Sequence, residues 1–348
     1  MRVFVTGVHG YIGAVLAPYL MDRGLGVLGL DTGYYRDGWL FSDNRRMRVQ
    51  PQTINKDLRD ITASDLEGCD AVAHLAELSN DPLGQNNPRV THEINHQGSV
   101  ALAQLARKAG VRRFVYTSSC SVYGAGTGAN SDKTALDETT APNPQTAYAE
   151  CKVLVERDVG KMADTDFCPV FLRNATAYGP SPRMRFDIVL NDLSAMAYTT
   201  KRIAMVSDGS PWRPVVHIED ICEAIYRSLL APEDAVRGKV FNVGQNSENY
   251  RVRELAQIVA AEFPGCELSV GSSSGDNRSY RVSFDKIHRE LPGFECRHNA
   301  KDGARQLREV FERIQMSADI YQFRAFTRLK QLQYLQATNQ IDATFRWH

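Results

Sequence analysis

A strand, a glycine-rich turn, a helix and a second strand ending on an acid fill the first 31 residues, and this order admits few folds. Arg2-Val-Phe-Val-Thr6 reads as a buried strand. Thr6-Gly7-Val-His9-Gly10-Tyr11-Ile12-Gly13 reads as the turn, followed by an apolar-periodic helix through Met21 that Gly24 ends. Val27–Leu30 is the next strand, closing at Asp31. Gly7 permits the tight turn, Gly10 lets the backbone approach a pyrophosphate, and Gly13 lets helix and strand pack closely. The helix N-terminus then turns free N–H groups and a positive dipole end toward the phosphates. Asp31 stands eighteen residues after Gly13, where an acid accepts from both ribose hydroxyls and repels a 2′-phosphate. The stretch therefore predicts a NAD site, with NAD favoured over NADP.

The alternation continues. Strands are expected at 71–75, 113–117 and 169–172, with helices at 90–108, ended by Gly110, and at 146–163. Short apolar strands alternating with helices predict an α/β fold, a doubly wound parallel sheet of the Rossmann type with helices on both faces. After about residue 176 the texture changes. Residues 178–187 are rich in Pro, Arg and Gly, 187–200 look helical, and strands at 215–218 and 240–243 flank a helix starting near Glu219. From about 250 onward helices dominate. The expected organisation is a dinucleotide-binding domain over 1–176, to which 214–246 return. A smaller, mostly helical substrate domain takes 177–213 and 247–348. Phe323, Phe326, Leu329, Leu332 and Leu335 recur every three residues and read as a packing stripe, not a ligand site.

Composition removes several classes of function. Lys plus Arg and Asp plus Glu both number 41, and no basic run stands out, which argues against nucleic acid as a partner. No apolar run reaches the roughly 18 residues of a membrane span. The first residues lack a signal-peptide core, and the seven cysteines are an odd, scattered set without a Cys-x-x-Cys pair. Cytoplasmic, reduced thiols are expected, with neither a disulfide framework nor a metal site.

The chemistry is written in Tyr148-Ala-Glu-Cys-Lys152 and in Ser119, about thirty residues earlier. A phenol, which ordinarily titrates at about 10, is a poor base at neutral pH. A Lys cation at i+4 on the same helix face favours the phenolate. A Ser hydroxyl beside it holds a substrate oxygen. Together with NAD, the set moves a proton and a hydride at one carbon.

Taken in order, the motifs resemble the extended short-chain dehydrogenase/reductase family, in its nucleotide-sugar epimerase and dehydratase branch. They are Gly7/Gly10/Gly13, Asp31, Asp57-Leu58, His74-Leu75-Ala76, Asn95, Ser119 with Val122-Tyr-Gly124, Tyr148/Lys152, Leu172-Arg173, Tyr178-Gly-Pro180 and Arg213-Pro-Val-Val-His217. The resemblance runs from Val3 to about Asp285 and implies roles position by position. His9, Tyr11 and Ile12 would join the glycines around the cofactor. Asp57 would bond the adenine amino group, Leu58 would line its pocket, and Leu75 and Ala76 would line the path of the pyrophosphate and nicotinamide ribose. Asn95 would steady the active-site region, Lys152 would also bond the nicotinamide ribose, and Asn174 would contact the nicotinamide. Toward the substrate the resemblance implies Ser79, Ser119, Cys120, Ser121, Tyr148 and Thr176. Asn191 and Arg213 would hold its diphosphate, and Ala204 and Val206 would line its base. Asn95, Asp57 and Arg213 also admit purely structural readings, and His74 reads as a satisfied core histidine. Arg183 and Arg185 fit equally a solvated loop or a second diphosphate contact.

The resemblance implies that Tyr148 removes a sugar hydroxyl proton, commonly at C4, while hydride passes to NAD. Dehydratases of this branch typically carry Asp-Glu directly after the Ser or Thr, and decarboxylases keep the Glu; here Cys120 and Ser121 stand instead. Their lack of a carboxylate favours a nucleotide-sugar epimerase. The alternative is an NAD(P)H-dependent 4-ketoreductase, and a reading from another class is a silent NAD-binding regulator. The resemblance also implies a homodimer through the helices at 90–108 and 146–163. The C-terminal helix is expected to cover the substrate side or to form another contact.

Overall fold

The computed structural model describes residues 1–42, 50–79, 81–124, 134–273 and 279–348. Its centre is a seven-stranded sheet. The strands in chain order are β1 (Arg2–Thr6), β2 (Gly26–Asp31), β3 (Gln52–Asn55), β4 (Ala71–His74), β5 (Arg113–Ser119) and β6 (Cys168–Asn174); the seventh comes much later in the chain. β7 (Thr176–Tyr178), β8 (Arg202–Ser207) and β9 (Trp212–His217) lie outside it. β10 (Val240–Val243) then returns as an edge strand, giving the order β10-β6-β5-β4-β1-β2-β3. Every pairing in this sheet is parallel. The sheet is the expected Rossmann-like arrangement.

The two faces of β1 explain why its sequence is apolar throughout. Val3 and Val5 join one core with Val15 and Leu16 of the helix Gly13–Met21 and Ile221 and Ile225 of the helix Ile218–Leu230. Phe4 joins the opposite core with Leu102 of the helix Ser99–Lys108 and Val155 of the helix Ala147–Gly160. A strand buried on both faces cannot alternate polar and apolar residues.

Elements missing from the sequence reading sit at the periphery. β3 is a four-residue edge strand, and β12 (Glu267–Ser273) pairs in parallel with β8 in the stretch where helices were expected to dominate. β11 (Asn249–Arg251) pairs antiparallel to β9, which pairs in parallel with β7. The expected helix at 90–108 contains a π-helical stretch, His92–Gly98, before the regular helix Ser99–Lys108. The packing stripe runs from Phe323, which ends the short helix Ala318–Gln322, through the 3-10 turn Arg324–Phe326 into the helix Arg328–Ala337. Of its members Phe326, Leu332 and Leu335 are buried and Phe323 is exposed.

The strand order reverses between β1 and β4, and in open parallel sheets this switch point is where ligands bind, at the carboxyl ends of the strands. No helix among the described residues is long and apolar enough to cross a membrane.

Candidate active site

A cavity of about 790 Å³ opens at that point. The ends of β1, β2, β4, β5 and β6 deliver Gly7, Asp31, Leu75, Ser119 and Asn174 to its wall. Gly7 has φ +70°, and its N–H donates to Leu30 O at 2.7 Å. A Cβ on Gly13 would lie 2.1 Å from Gly7 O, so the turn and the helix can approach this closely only without a side chain there. The helix Gly13–Met21 has no side-chain cap at its N-terminus; Ala14, Val15 and Leu16 N–H already bond Gly10 O and Ile12 O, which leaves the N–H groups of Ile12 and Gly13 ahead of them for a phosphate. Asp31 is held in place by the N–H groups of His9 (3.0 Å) and Gly33 (2.8 Å).

The Tyr/Lys helix begins at a sequence-encoded stop. Thr146 Oγ1 accepts from the Ala149 N–H at 3.2 Å, which starts the helix two residues before Tyr148. Ser119 ends β5, and its Oγ accepts from the Ser121 N–H at 3.1 Å and faces the Tyr148 phenol, whose pKa it acts to lower. The Lys152 ammonium lies 5.4 Å from the centre of the Tyr148 ring and donates to Thr117 O.

Lys152 has a partner the sequence reading did not weigh. Glu77 Oε2 stands 2.5 Å from Lys152 Nζ, and Glu77 Oε1 accepts from the Tyr116 hydroxyl at 2.5 Å. Burial works against both charges. Around Lys152 the carboxylate of Glu77 and the phenol of Tyr148 outweigh it, and the ammonium is held above its ordinary range. At Glu77 burial wins over Lys152, so the carboxyl sits above its ordinary range. Burial raises the Tyr148 phenol; Lys152 opposes this, and Glu77 and Asp81 add to it. An acid directly after His74-Leu75-Ala76 was the available signal.

Other sequence-derived positions divide into two groups. Tyr11, Ile12, Leu58, Ala76, Ser79, Ser121, Thr176 and Arg213 line the cavity with the residues already described. Ser121 Oγ and Asn174 Oδ1 are buried there without a protein partner, as is the Tyr35 hydroxyl. Such groups fit a ligand rich in hydroxyls and amides, since a buried polar atom without a partner is costly.

The remaining positions lie elsewhere. His9 contributes only its backbone N–H, behind Asp31. Asn95 spends both side-chain atoms on the Leu78 backbone (2.8 and 3.1 Å) and does not reach the cavity. Asn191 accepts from Gly179 N–H and donates to the Tyr11 hydroxyl and Arg185 O, so it braces the cavity floor and has no donor left for a diphosphate. The Cys120 thiol donates to Arg173 O at 3.1 Å behind β5, and burial pushes it far up, so it stays a neutral filler. Ala204 and Val206 lie on β8 outside the cavity, Val206 at 86 % exposure, and do not line a base there. Asp57 borders the cavity, but both its oxygens are engaged by Arg59 (2.7 to 2.9 Å), which outweighs burial and holds its carboxyl low. His74 is paired on both nitrogens, with Thr6 (2.6 Å) and Ser99 (2.7 Å), and burial pushes it down to about 3. His217, Glu219 and His298 bring donor atoms together outside the cavity. His217 is already committed to Gln306 (2.8 Å) and to the Glu219 N–H (3.2 Å), and His298 to Asp220 (3.3 Å).

A sequence model described as the NAD dependent epimerase/dehydratase family matches residues 3–244. The chain belongs to that family. NAD is accordingly its cofactor, and the uncapped helix, the glycine cradle and Asp31 fit it. Among curated proteins, the UDP-glucose 4-epimerase of Mycolicibacterium smegmatis is 31% identical over 272 residues, covering 75% of this chain and 82% of that enzyme. The UDP-N-acetyl-alpha-D-glucosaminuronate decarboxylase of Bacillus cytotoxicus is 24% identical over 310 residues, covering 89% and 91%. Among solved structures, MoeE5 in complex with UDP-glucose and NAD superposes with a TM-score of 0.75 at 25% identity, covering 91% of this chain and all of that one. The family thus holds sugar-nucleotide enzymes of more than one reaction type.

Proposed function

We propose that the chain is an NAD-dependent nucleotide-sugar epimerase acting at C4. One observation carries this reading. Ser119, Tyr148 and Lys152 converge on the cavity, while the position after Ser119 holds a thiol turned behind the strand in place of a carboxylate. Elimination or decarboxylation needs a further acid or base at the sugar, and Ser121, the next residue, is no base at neutral pH. Asp31 and Asp57 aside, the acids of the cavity wall are engaged, Glu77 by Lys152, Asp187 by Arg185, Asp81 by Thr146 and Asp192 by Tyr321, so the trio is best suited to oxidation and reduction at one carbon.

The geometry supports these roles. Tyr148, as phenolate, takes the proton of the sugar hydroxyl. Ser119 bonds the same oxygen and follows its change of charge. Lys152 supplies the positive charge that makes the phenolate accessible, and Glu77 and Thr117 O fix its position. Gly7, Gly10, Gly13 and Asp31 would hold NAD, which would supply the hydride acceptor and, once the keto sugar has turned its other face, the hydride donor. Reprotonation by Tyr148 then completes an inversion without net oxidation. Asn174, Ser121 and Thr176 offer groups to the nicotinamide and the sugar, and Arg213 a charge to the nucleotide. The relatives named for UDP-sugars make a UDP-hexose or UDP-hexuronate the first substrate to try.

The test is incubation with UDP-, GDP-, ADP- and dTDP-sugars, followed by NMR. Inversion at C4 without added cofactor is expected. Stoichiometric consumption of NADH with a keto sugar, and no inversion, would instead establish the 4-ketoreductase.

A further inference from the structure

Three buried arginines meet on one side of the cavity, and hydrogen-bonded carboxylates do not balance them. Arg183, Arg185 and Arg328 are 8 %, 8 % and 2 % exposed. Arg185 closes a two-pronged pair with Asp187, at 2.8 and 3.2 Å. Arg183 donates through Nη1 to the carbonyls of Tyr35, Arg36 and Gly38 (2.7 to 3.2 Å). The Arg328 guanidinium lies 4.0 Å from the centre of the Tyr35 ring and reaches only two carbonyls, Ala325 O at 3.4 Å and Arg183 O at 3.5 Å. Among the described residues, only the Arg185 guanidinium of the three hydrogen-bonds a carboxylate; Asp187 also accepts from the Arg328 backbone N–H (3.3 Å), and its charge acts on the Arg328 guanidinium without a hydrogen bond to it. Asp31 lies near enough for its field to act on Arg183 and Arg328, but its oxygens already accept from His9 and Gly33.

Arg328 lines the same cavity as the glycine turn and Asp31. A buried guanidinium without a hydrogen-bonded anion is costly, and five N–H donors have been brought to a place that uses few of them. Burial and the neighbouring Arg185 charge push it down to about 10, which still leaves it a cation at neutral pH. Its placement is also firmly held. Gln331, on the same helix, donates to Tyr34 O (3.0 Å) and to Asp37 (3.3 Å). Further on, Trp347 Nε1 donates to Thr32 O (2.7 Å), Arg59 to Thr344 O (2.8 Å) and Asn87 to Ala343 O (3.1 Å). The C-terminal segment is thus tied to the loops that follow β2 and β3, which wall the cavity near Asp31 and Asp57, and to the connection after β4. A donor set held in advance loses little freedom on binding.

We propose that Arg328, carried in by the C-terminal helix, is an anion ligand for a diphosphate flanked by ribose groups. Its planar fork suits two phosphate oxygens at once. Such a diphosphate comes to this cavity from two sources, the cofactor and a nucleotide-sugar substrate. The substrate arm rests on the proposed function, and the NAD arm does not depend on which reaction the enzyme performs.

Arg328→Met keeps the stem and removes the fork, and Arg328→Lys keeps the charge. The rate at which bound NAD exchanges with labelled NAD, and the affinity for UDP read calorimetrically, are measured on both variants and the parent protein. Arg328→Met should weaken one of the two by at least about tenfold, the scale of a lost charge-assisted hydrogen bond, and Arg328→Lys should recover part of it. A loss in NAD retention assigns the cofactor's diphosphate, and a loss in UDP affinity assigns the substrate's. Without ligand, the Met variant should melt at the parent temperature or above it, because an uncompensated charge has gone. The proposal is overturned if neither binding changes. It is also overturned if the ligand-free variant melts lower and both bindings fall together, as loss of a structural contact would cause.

Discussion

The cavity has two walls of different construction. The first is made at strand ends, largely by the backbone: the turn at Gly7, Gly10 and Gly13, the N–H groups that hold Asp31, and Ser119 at the end of β5. The second is made by long side chains from distant segments, chiefly Arg185, Asp187 and Arg328. The first wall sets what chemistry is possible, because its groups sit where a sugar carbon and a nicotinamide can meet. The second supplies charge to whatever is held. A lesion at Ser119 on the first, or at Tyr148 beside it, should change the rate of conversion, and one on the second should change affinity.

The sharpest test of that division is Tyr148→Phe. Removing a general acid–base group should lower kcat by about 10²–10⁴-fold while NAD content and UDP affinity stay at the parent level. Near-full turnover would remove Tyr148 from its role. Loss of both bindings would show that the two walls are not separable.

Glu77→Gln is a subtler break. In the proposed mechanism Tyr148 acts as a phenolate, and its phenol is raised first by burial, against Lys152, with Glu77 and Asp81 adding to the rise. Arg185 and Ser119 are the other groups facing it. Taking away the negative charge of Glu77 lowers that pKa, so the acid limb of the pH–kcat profile should move to lower pH. Lys152 also loses a partner that keeps it charged, so its own titration should move down as well. A profile that does not move would leave Glu77 a packing residue.

The smallest effect is expected at Cys120→Ala. The thiol lies behind the first wall, so turnover and its pH profile should be unchanged, while lost packing costs about 1 kcal/mol in a denaturant titration. A fall in kcat at constant stability would bring Cys120 back into the chemistry.

The same contrast explains what the sequence made legible. Gly7, Gly13 and Asp31 could be read because backbone geometry demands those residue types at fixed spacings within one strand–helix–strand unit. Tyr148 and Lys152 could be read because one helical turn separates them. Arg328 could not, because its meaning depends on a helix docking beside residues some 140 positions earlier in the chain, such as Arg183. Asn191 is the reverse case: expected at the diphosphate, it spends its donors on the Tyr11 hydroxyl and Arg185 O, whereas Asn95, expected to steady the active-site region, ties down the backbone of Leu78 in the cavity wall. A polar residue in an apolar-periodic helix looks the same in sequence whether it faces a ligand or ties down a buried backbone. β12 was hidden in a stretch dominated by helical patterns, and its partner β8 lies about sixty residues away, so no local signal announced the pair.

The bond from Trp347 to Thr32 spans 315 positions. Loop-closure entropy must be overcome before so distant a contact contributes, so pairings of this kind form late. On a ribosome adding about 5–20 residues per second, the glycine turn and Asp31 would be exposed for on the order of tens of seconds before Trp347 exists to close over the neighbouring loop. The nascent chain therefore passes through a stage in which the nucleotide cradle can be shaped while the wall beside it is still missing, and early capture of the dinucleotide would favour the productive route over collapse of that open edge.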